Sequence, residues 1–191
     1  VNQIQKCVDY LIPLINNLDH LQIDAICQLF LSTREKGGTI YFAGNGGSAS
    51  TASHFAQDLG QIGYKLKIRG FKTVCLNDSI SIVTAIGNDF GYEHIFSIQI
   101  NNSFGKNDTL VVLSASGNSP NVVNAVCAAN DCGGTTVGLT GFDGGKLKSL
   151  CDHLVHVDTE LGQYGPVESV HLIVNHIIFA YLLDYLDENT N

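Results

Sequence analysis

Two loops rich in glycine and serine, and two pairs of side chains able to bind metals or carry protons, are the chemically suggestive features of this sequence. The first loop is Gly44-Asn45-Gly46-Gly47-Ser48-Ala49-Ser50 and the second is Ser114-Ala115-Ser116-Gly117-Asn118-Ser119-Pro120. In the second, three hydroxyls and a glycine precede a proline, whose fixed φ suits the first turn of a helix. Backbone amides at such a helix start point at an anion, the helix dipole favours negative charge, and the hydroxyls add donors. A phosphomonoester therefore fits there without Lys or Arg. N-capping by Asn118 or Ser119 is the competing explanation for the same residues. The first loop also reads as Gly-x-Gly-x-x-Ala after a strand, the pattern of a dinucleotide site. Such a site needs an acid about 20 residues on to hold a ribose hydroxyl. The stretch from Tyr64 to Lys72 is basic, and Asn77-Asp78 lies well beyond that distance. A backbone cradle for a small sugar accounts for the loop more economically.

His54 and Asp58 are four residues apart on the helix expected after the first loop, so they project from one face and can share a ligand or a metal. Glu168 and His176 flank His171 near the other end of the chain. Residues eight apart on an undistorted helix differ by about 12 Å along the axis and roughly 80° in direction. One ion can join those two only through an irregular helix start or a second subunit. Taken singly, Glu168 is also explained as a carboxylate near a helix N-terminus, and either histidine as a satisfied core residue. As a set, two histidines and two carboxylates beside two phosphate-type loops can hold Zn²⁺. They can equally supply an acid and a base on opposite sides of a sugar's first two carbons.

These residues need a frame. Apolar spacing of three and four predicts helices over Ile4–Leu18, bent by Pro13, and from Leu21 to about Lys36. The run Thr39–Ala43 predicts a buried strand feeding the first loop, followed by a helix to about Leu59. Strands at Thr73–Leu76, Thr109–Leu113, Thr135–Leu139 and Leu154–Val157 bring the number to five. Helices are predicted at Ser79–Gly87, Tyr92–Ile98, from Pro120, at Gly144–Leu150 and at Val167–Leu186. The last is apolar on nearly every face, as expected if its own sheet and another subunit both cover it. Alternating strands and helices with right-handed crossovers form a doubly wound parallel α/β sheet, whose ligands bind at the carboxyl ends of the strands. Both Gly/Ser loops fall there.

The chain has 191 residues, 45% apolar and 15% charged, which suits one soluble domain. A formal net charge of −8 with two arginines, Arg34 and Arg69, argues against a dedicated nucleic-acid or anionic-membrane surface. No apolar run approaches the roughly 20 residues that span a bilayer, and the N-terminal stretch lacks the pattern of a secretory signal. A cytoplasmic location is the expectation. None of the six cysteines forms a CxxC pair, so buried free thiols are expected rather than a redox or zinc unit.

The runs YFAGNGGSASTASHFAQDLG, TAIGNDFGYEHIFSIQI, LSASGNSPNVVNA, TVGLTGFDGGKL and VESVHLIVNHII, in this order, resemble the sugar isomerase (SIS) domain of the phosphoheptose isomerase family. The resemblance covers nearly the whole chain. It implies a single three-layer, flavodoxin-like domain over residues 1–191, with a five-stranded parallel sheet in residues 37–191. Residues 1–36 would then form an extra helical pair used in packing a homotetramer, with active sites between subunits. By matching motif positions, Asn45, Gly46, Gly47 and Ser48 would meet the sugar from the first loop, and Asn88 and Asp89 from the NDFGYE segment. Ser114, Ala115, Ser116 and Ser119 would hold its phosphate. His54, Asp58, Glu168 and His176 would form a Zn²⁺ site, with Asp58, Glu168 and His176 also catalytic and Glu168 in contact with the substrate.

The resemblance is imperfect at informative places. Asp58 stands where the family has Glu, Glu168 where it has Gln, and Ile62 where an Arg is usual, leaving Lys65, Lys67 or Arg69 as basic substitutes. A harder, more anionic cage results, which suits Zn²⁺ at least as well. The implied activity is an aldose-ketose isomerisation between sedoheptulose 7-phosphate and D-glycero-D-manno-heptose 7-phosphate through an enediolate, supplying nucleotide-activated heptose for lipopolysaccharide, capsule or surface-layer glycans. The alternatives are an isomerase of another phosphosugar, or a non-catalytic SIS protein that senses a phosphosugar or serves as an adaptor.

Overall fold

In a computed structural model describing residues 2–189, the chain runs α1 (Gln3–Asn16), α2 (His20–Glu35), β1 (Thr39–Gly44), α3 (Gly47–Leu66), β2 (Lys72–Cys75), α4 (Ile80–Asp89), a 3-10 turn (Tyr92–His94), α5 (Ser97–Ser103), β3 (Thr109–Ser114), α6 (Pro120–Asp131), β4 (Thr135–Phe142), α7 (Leu147–Leu150), β5 (His153–Asp158) and α8 (Tyr164–Glu188). All strand pairings are parallel, in the order β2-β1-β3-β4-β5. The strand order reverses between β1 and β3, which are paired neighbours. The loops leaving their carboxyl ends are the two Gly/Ser loops, so the switch point of the sheet is where both of them meet.

Alternation along the strands sorts the interior into two halves. Ile40, Phe42, Val111, Leu113, Val137 and Leu139 point to one face, where α2, α3 and α8 supply Ile26, Phe30, Phe55, Leu59, Val170, Val174 and Ile178. Tyr41, Ala43, Leu110 and Val112 point to the other, against Ile86, Ile95, Phe96, Ile100, Val122, Ala125 and Leu147. The result is the expected three-layer α/β arrangement. Helix α1 differs from the rest because it buries none of its residues fully, and Ile4 and Ile12 on it are 71% and 49% exposed.

Three sequence expectations are corrected. Helix α3 runs seven residues past Leu59, to Leu66, because Gly60 and Gly63 do not stop it; a Cβ on Gly63 would collide with the Gly70 backbone, so the glycine lets the helix pack against the chain entering β2. The segment expected as one helix over Tyr92–Ile98 divides into the 3-10 turn and α5, which continues to Ser103. Helix α8 is long and apolar enough to cross a membrane by length and composition, with a mean hydropathy of 1.4. Its Val167, Val170, Val174, Ile178, Leu182 and Leu186 are buried in this fold, while Ile177, Tyr181 and Tyr185 are exposed.

The thiols are less uniform than expected. Cys27 and Cys75 are buried, and burial pushes both up to about 12, while Cys7 and Cys127 are exposed.

Candidate active site

The serine loop is shaped by Gly117, whose φ is +62°; a Cβ there would run into the Gly144 carbonyl. Its outer side is tied down by the connection after β4. The Lys146 amide donates to Asn118 Oδ1 at 3.1 Å, and Asn118 Nδ2 donates to the Ser116 carbonyl at 2.9 Å. Asn118 therefore serves the loop's own structure. Ser119 occupies the N-cap position of α6 but makes no capping bond. Its Oγ lies 3.4 Å from Ser114 Oγ, so the hydroxyl is directed into the loop's concavity instead of to the helix amides.

That concavity is a pocket of about 150 Å³ lined by Asn45, Ser48, Leu113, Ser114, Ala115, Ser116, Ser119, Tyr164 and Glu168. The structure thus gathers six of the residues expected to bind substrate or phosphate around one space with Glu168. Of the rest, Gly46 is exposed and caps α3 with a φ of +56°. Gly47 lies directly under the Glu168 carboxylate, since a Cβ on it would stand 2.7 Å from the carboxyl carbon. Glu168 thus sits at the N-terminal end of α3, where the helix dipole favours a carboxylate. Asn88 and Asp89 are not brought to this pocket. They end α4, exposed, with Asn88 donating to its own neighbour Asp89 at 2.7 Å.

His54, Asp58 and His176 form a second centre. One ligand atom from each lies within 4.8 Å of the others. His54 Nε2 is 3.2 Å from Asp58 Oδ2, and the two imidazole rings meet edge to face with centroids 5.2 Å apart. The His54 side chain is 42% exposed and that of Asp58 only 9%, so the group has a buried carboxylate floor and an open imidazole rim. Asp58 is held from two further sides: Asn175 Nδ2 donates to Oδ2 at 3.2 Å and Gln61 Nε2 to Oδ1 at 3.3 Å. Two imidazoles and one carboxylate match the donor chemistry of a divalent transition metal and leave coordination positions open.

Within one chain Glu168 is not a member of this group, so of the two routes by which an ion could join it to His176 the regular helix leaves a second subunit. The reason is the spacing on α8: eight residues along a regular helix carry Glu168 to the serine loop and His176 to the histidine cluster. Between them, His171 is buried, with Nε2 3.3 Å from the Thr140 carbonyl, while its Nδ1 has no partner. Burial pulls the His171 imidazole down to about 4, so it is neutral near pH 7.

Sequence reasoning overlooked four polar residues here. Tyr92 Oη donates to Asn45 Oδ1 at 3.0 Å, and Asn121 exchanges two amide hydrogen bonds with Asn45, at 2.9 and 2.8 Å. Tyr164 lines the pocket and packs its ring against Phe142, and Asn175 holds Asp58. Asn121 and Asn175 lie on expected helices at positions facing inward, where an amide in place of an apolar residue is the available sequence signal.

Comparison with known proteins gives concordant matches. A family model described as the SIS domain matches residues 6–141. The phosphoheptose isomerase of Aliarcobacter butzleri is 39% identical over 157 residues, covering 82% of this chain and 81% of that protein. That of Helicobacter pylori strain 26695 is 42% identical over 151 residues, covering 78% and 77%. The solved structure of phosphoheptose isomerase GmhA from Neisseria gonorrhoeae superposes with a TM-score of 0.84 at 29% identity, over 94% of this chain and 96% of that one.

Proposed function

From the premise that this chain belongs to the phosphoheptose isomerase family of SIS-domain proteins, we propose that its two centres together isomerise a heptose phosphate. The chain is an isomerase, and its substrates are sedoheptulose 7-phosphate and D-glycero-D-manno-heptose 7-phosphate, on the route to nucleotide-activated heptose. The observation that carries the reading is the 39% identity to a phosphoheptose isomerase over about four fifths of both proteins. The pocket supplies the physical account.

The amides and hydroxyls of Ser114, Ala115, Ser116 and Ser119 bind the phosphoryl group, remote from the reacting carbons. Binding energy gained there orients C1 and C2. Glu168 shares that pocket and moves the proton between C1 and C2; Asp58, already engaged by His54, Asn175 and Gln61, is the less available carboxylate. With the active sites between subunits, His176 of the partner subunit, rather than the one about 12 Å along the same helix, returns a proton between the two sugar oxygens, completing an exchange in which no atom is gained or lost. His54, Asp58 and His176 would hold Zn²⁺, and when bound the ion supplies Lewis-acid polarisation of a carbonyl.

The uncovered apolar side of α1 and the exposed Ile177, Tyr181 and Tyr185 on α8 support assembly into a homotetramer packed through residues 1–36. A cytoplasmic location belongs to the same proposal. Light scattering on the purified protein tests the assembly.

For the activity, the purified protein is incubated with sedoheptulose 7-phosphate and the aldose product followed by NMR. Turnover is expected, with His176→Ala reducing kcat on the order of 100-fold or more. Protein that binds the sugar phosphate and never converts it would overturn the reading in favour of a non-catalytic SIS protein.

A further inference from the structure

We propose that Asn121 and Tyr92 are positioning residues that lock the amide of Asn45 as a hydrogen-bond donor, so that the substrate atom opposite Asn45 is an oxygen acceptor. The inference rests on the reading of the serine-loop pocket as the phosphosugar site.

The orientation follows from one backbone group. The Val122 amide, shared with the Ser119 carbonyl, donates to Asn121 Oδ1 at 3.0 Å. A backbone N–H cannot accept, so the oxygen of Asn121 must face it, and the Asn121 amide cannot be turned over. Asn45 Nδ2 donates to that same oxygen at 2.9 Å, and Asn121 Nδ2 donates back to Asn45 Oδ1 at 2.8 Å. Tyr92 Oη also donates to Asn45 Oδ1, at 3.0 Å. The Asn45 carbonyl now has both lone pairs engaged, and one of its two N–H groups is engaged as well. The remaining N–H is the group Asn45 offers to the pocket it lines with Ser114, Ser116 and Ser119.

Neither partner needs to touch the sugar to do this. Asn121 is 2% exposed and acts from beneath. Tyr92 stands on the 3-10 turn, which is itself pinned to α6 by Asn124 Nδ2 donating to the Glu93 carbonyl at 3.0 Å. The lock therefore joins three segments distant in sequence: the loop after β1, the turn after α4 and the first turn of α6. A freely rotating asparagine would accept or donate as the ligand required; a locked one rejects a substrate that presents a donor there without an acceptor.

The test separates the lock from the function. Asn121→Asp keeps the shape and the acceptor for Val122 and Asn45 but cannot donate to Asn45 Oδ1; kcat/KM is expected to fall about tenfold, chiefly through KM. Tyr92→Phe, at a side chain largely in solvent, is expected to fall about threefold with an unchanged melting temperature. In an Asn45→Ala background the Asn121→Asp change is expected to alter kcat/KM by less than about twofold. An equal loss in both backgrounds would overturn the proposal. In ligand-free protein labelled with ¹⁵N at asparagine, the Asn45 side-chain amide signal is expected to shift in both single variants; an unshifted signal would overturn it too. Should the wild-type protein fail to convert sedoheptulose 7-phosphate, the functional reading falls while the amide spectra still decide the lock.

Discussion

Replacing Gly47 by Ala should separate stability from catalysis. Gly47 is the first residue of α3 and its φ is not in the left-handed region, so alanine is compatible with the backbone. Helix propensity alone favours alanine over glycine by up to about 1 kcal/mol. The new methyl would stand 2.7 Å from the Glu168 carboxyl carbon and 2.8 Å from its Oε1, against roughly 3.5–4 Å for an unstrained contact. The obstacle is the end of a flexible side chain, so the carboxylate moves by about 1 Å and the helix stays. A displacement of that size at a group transferring a proton is worth on the order of 100-fold in rate. Thermal melting should show an unchanged or slightly higher midpoint, while steady-state isomerisation shows kcat reduced about 100-fold. Near wild-type kcat would refute the placement of Glu168 as the proton-transferring carboxylate, and an unfolded variant would refute the account of how the helix start is packed.

Ser116→Ala should lower kcat/KM roughly fivefold for one lost hydroxyl, with inhibition by inorganic phosphate weakened in parallel; an unchanged phosphate inhibition constant would count against the loop as the anion site. Asp58→Ala removes the partner of Asn175 Nδ2 in a fully buried amide whose Oδ1 is already unpaired. The expected cost is about 1–3 kcal/mol by denaturant titration, and after incubation with Zn²⁺ and desalting the variant should retain less of the ion than the wild type by elemental analysis; equal retention would remove Asp58 from the proposed ligand set. His171 binds its proton at about 4 when folded against an ordinary 6.5, so the unfolded chain takes up more protons between those values. Stability should therefore be retained above pH 6.5 and fall as pH drops toward 4, by roughly 3 kcal/mol at most. His171→Gln should flatten that slope, which urea melts at several pH values would reveal.

Much of this architecture was legible because strand and helix periodicities differ and because each Gly/Ser loop follows a buried strand. All five strands and both loops stand where β-branched runs and breakers placed them. Glycine was ambiguous where it serves packing rather than punctuation, as Gly63 against Gly70 shows. At the site, His54 and Asp58 were legible from their four-residue spacing, which survives in any regular helix. The separation of Glu168 from His176 along one chain was equally legible, because eight residues of regular helix fix it. The amide pair of Asn45 and Asn121 was not, because residues 76 apart meet only through the crossover from β1 to β3. Nothing in either loop alone specifies which asparagine faces which.

A single unbroken helix, α8, carries Glu168 at the serine-loop pocket and His176 at the imidazole cluster. Because its rise per residue is set by backbone hydrogen bonds, the gap between these ends is rigid. A carboxylate and an imidazole acting on the same two carbons of one sugar would then have to come from two copies of the chain. Main-chain geometry would thereby make turnover depend on assembly.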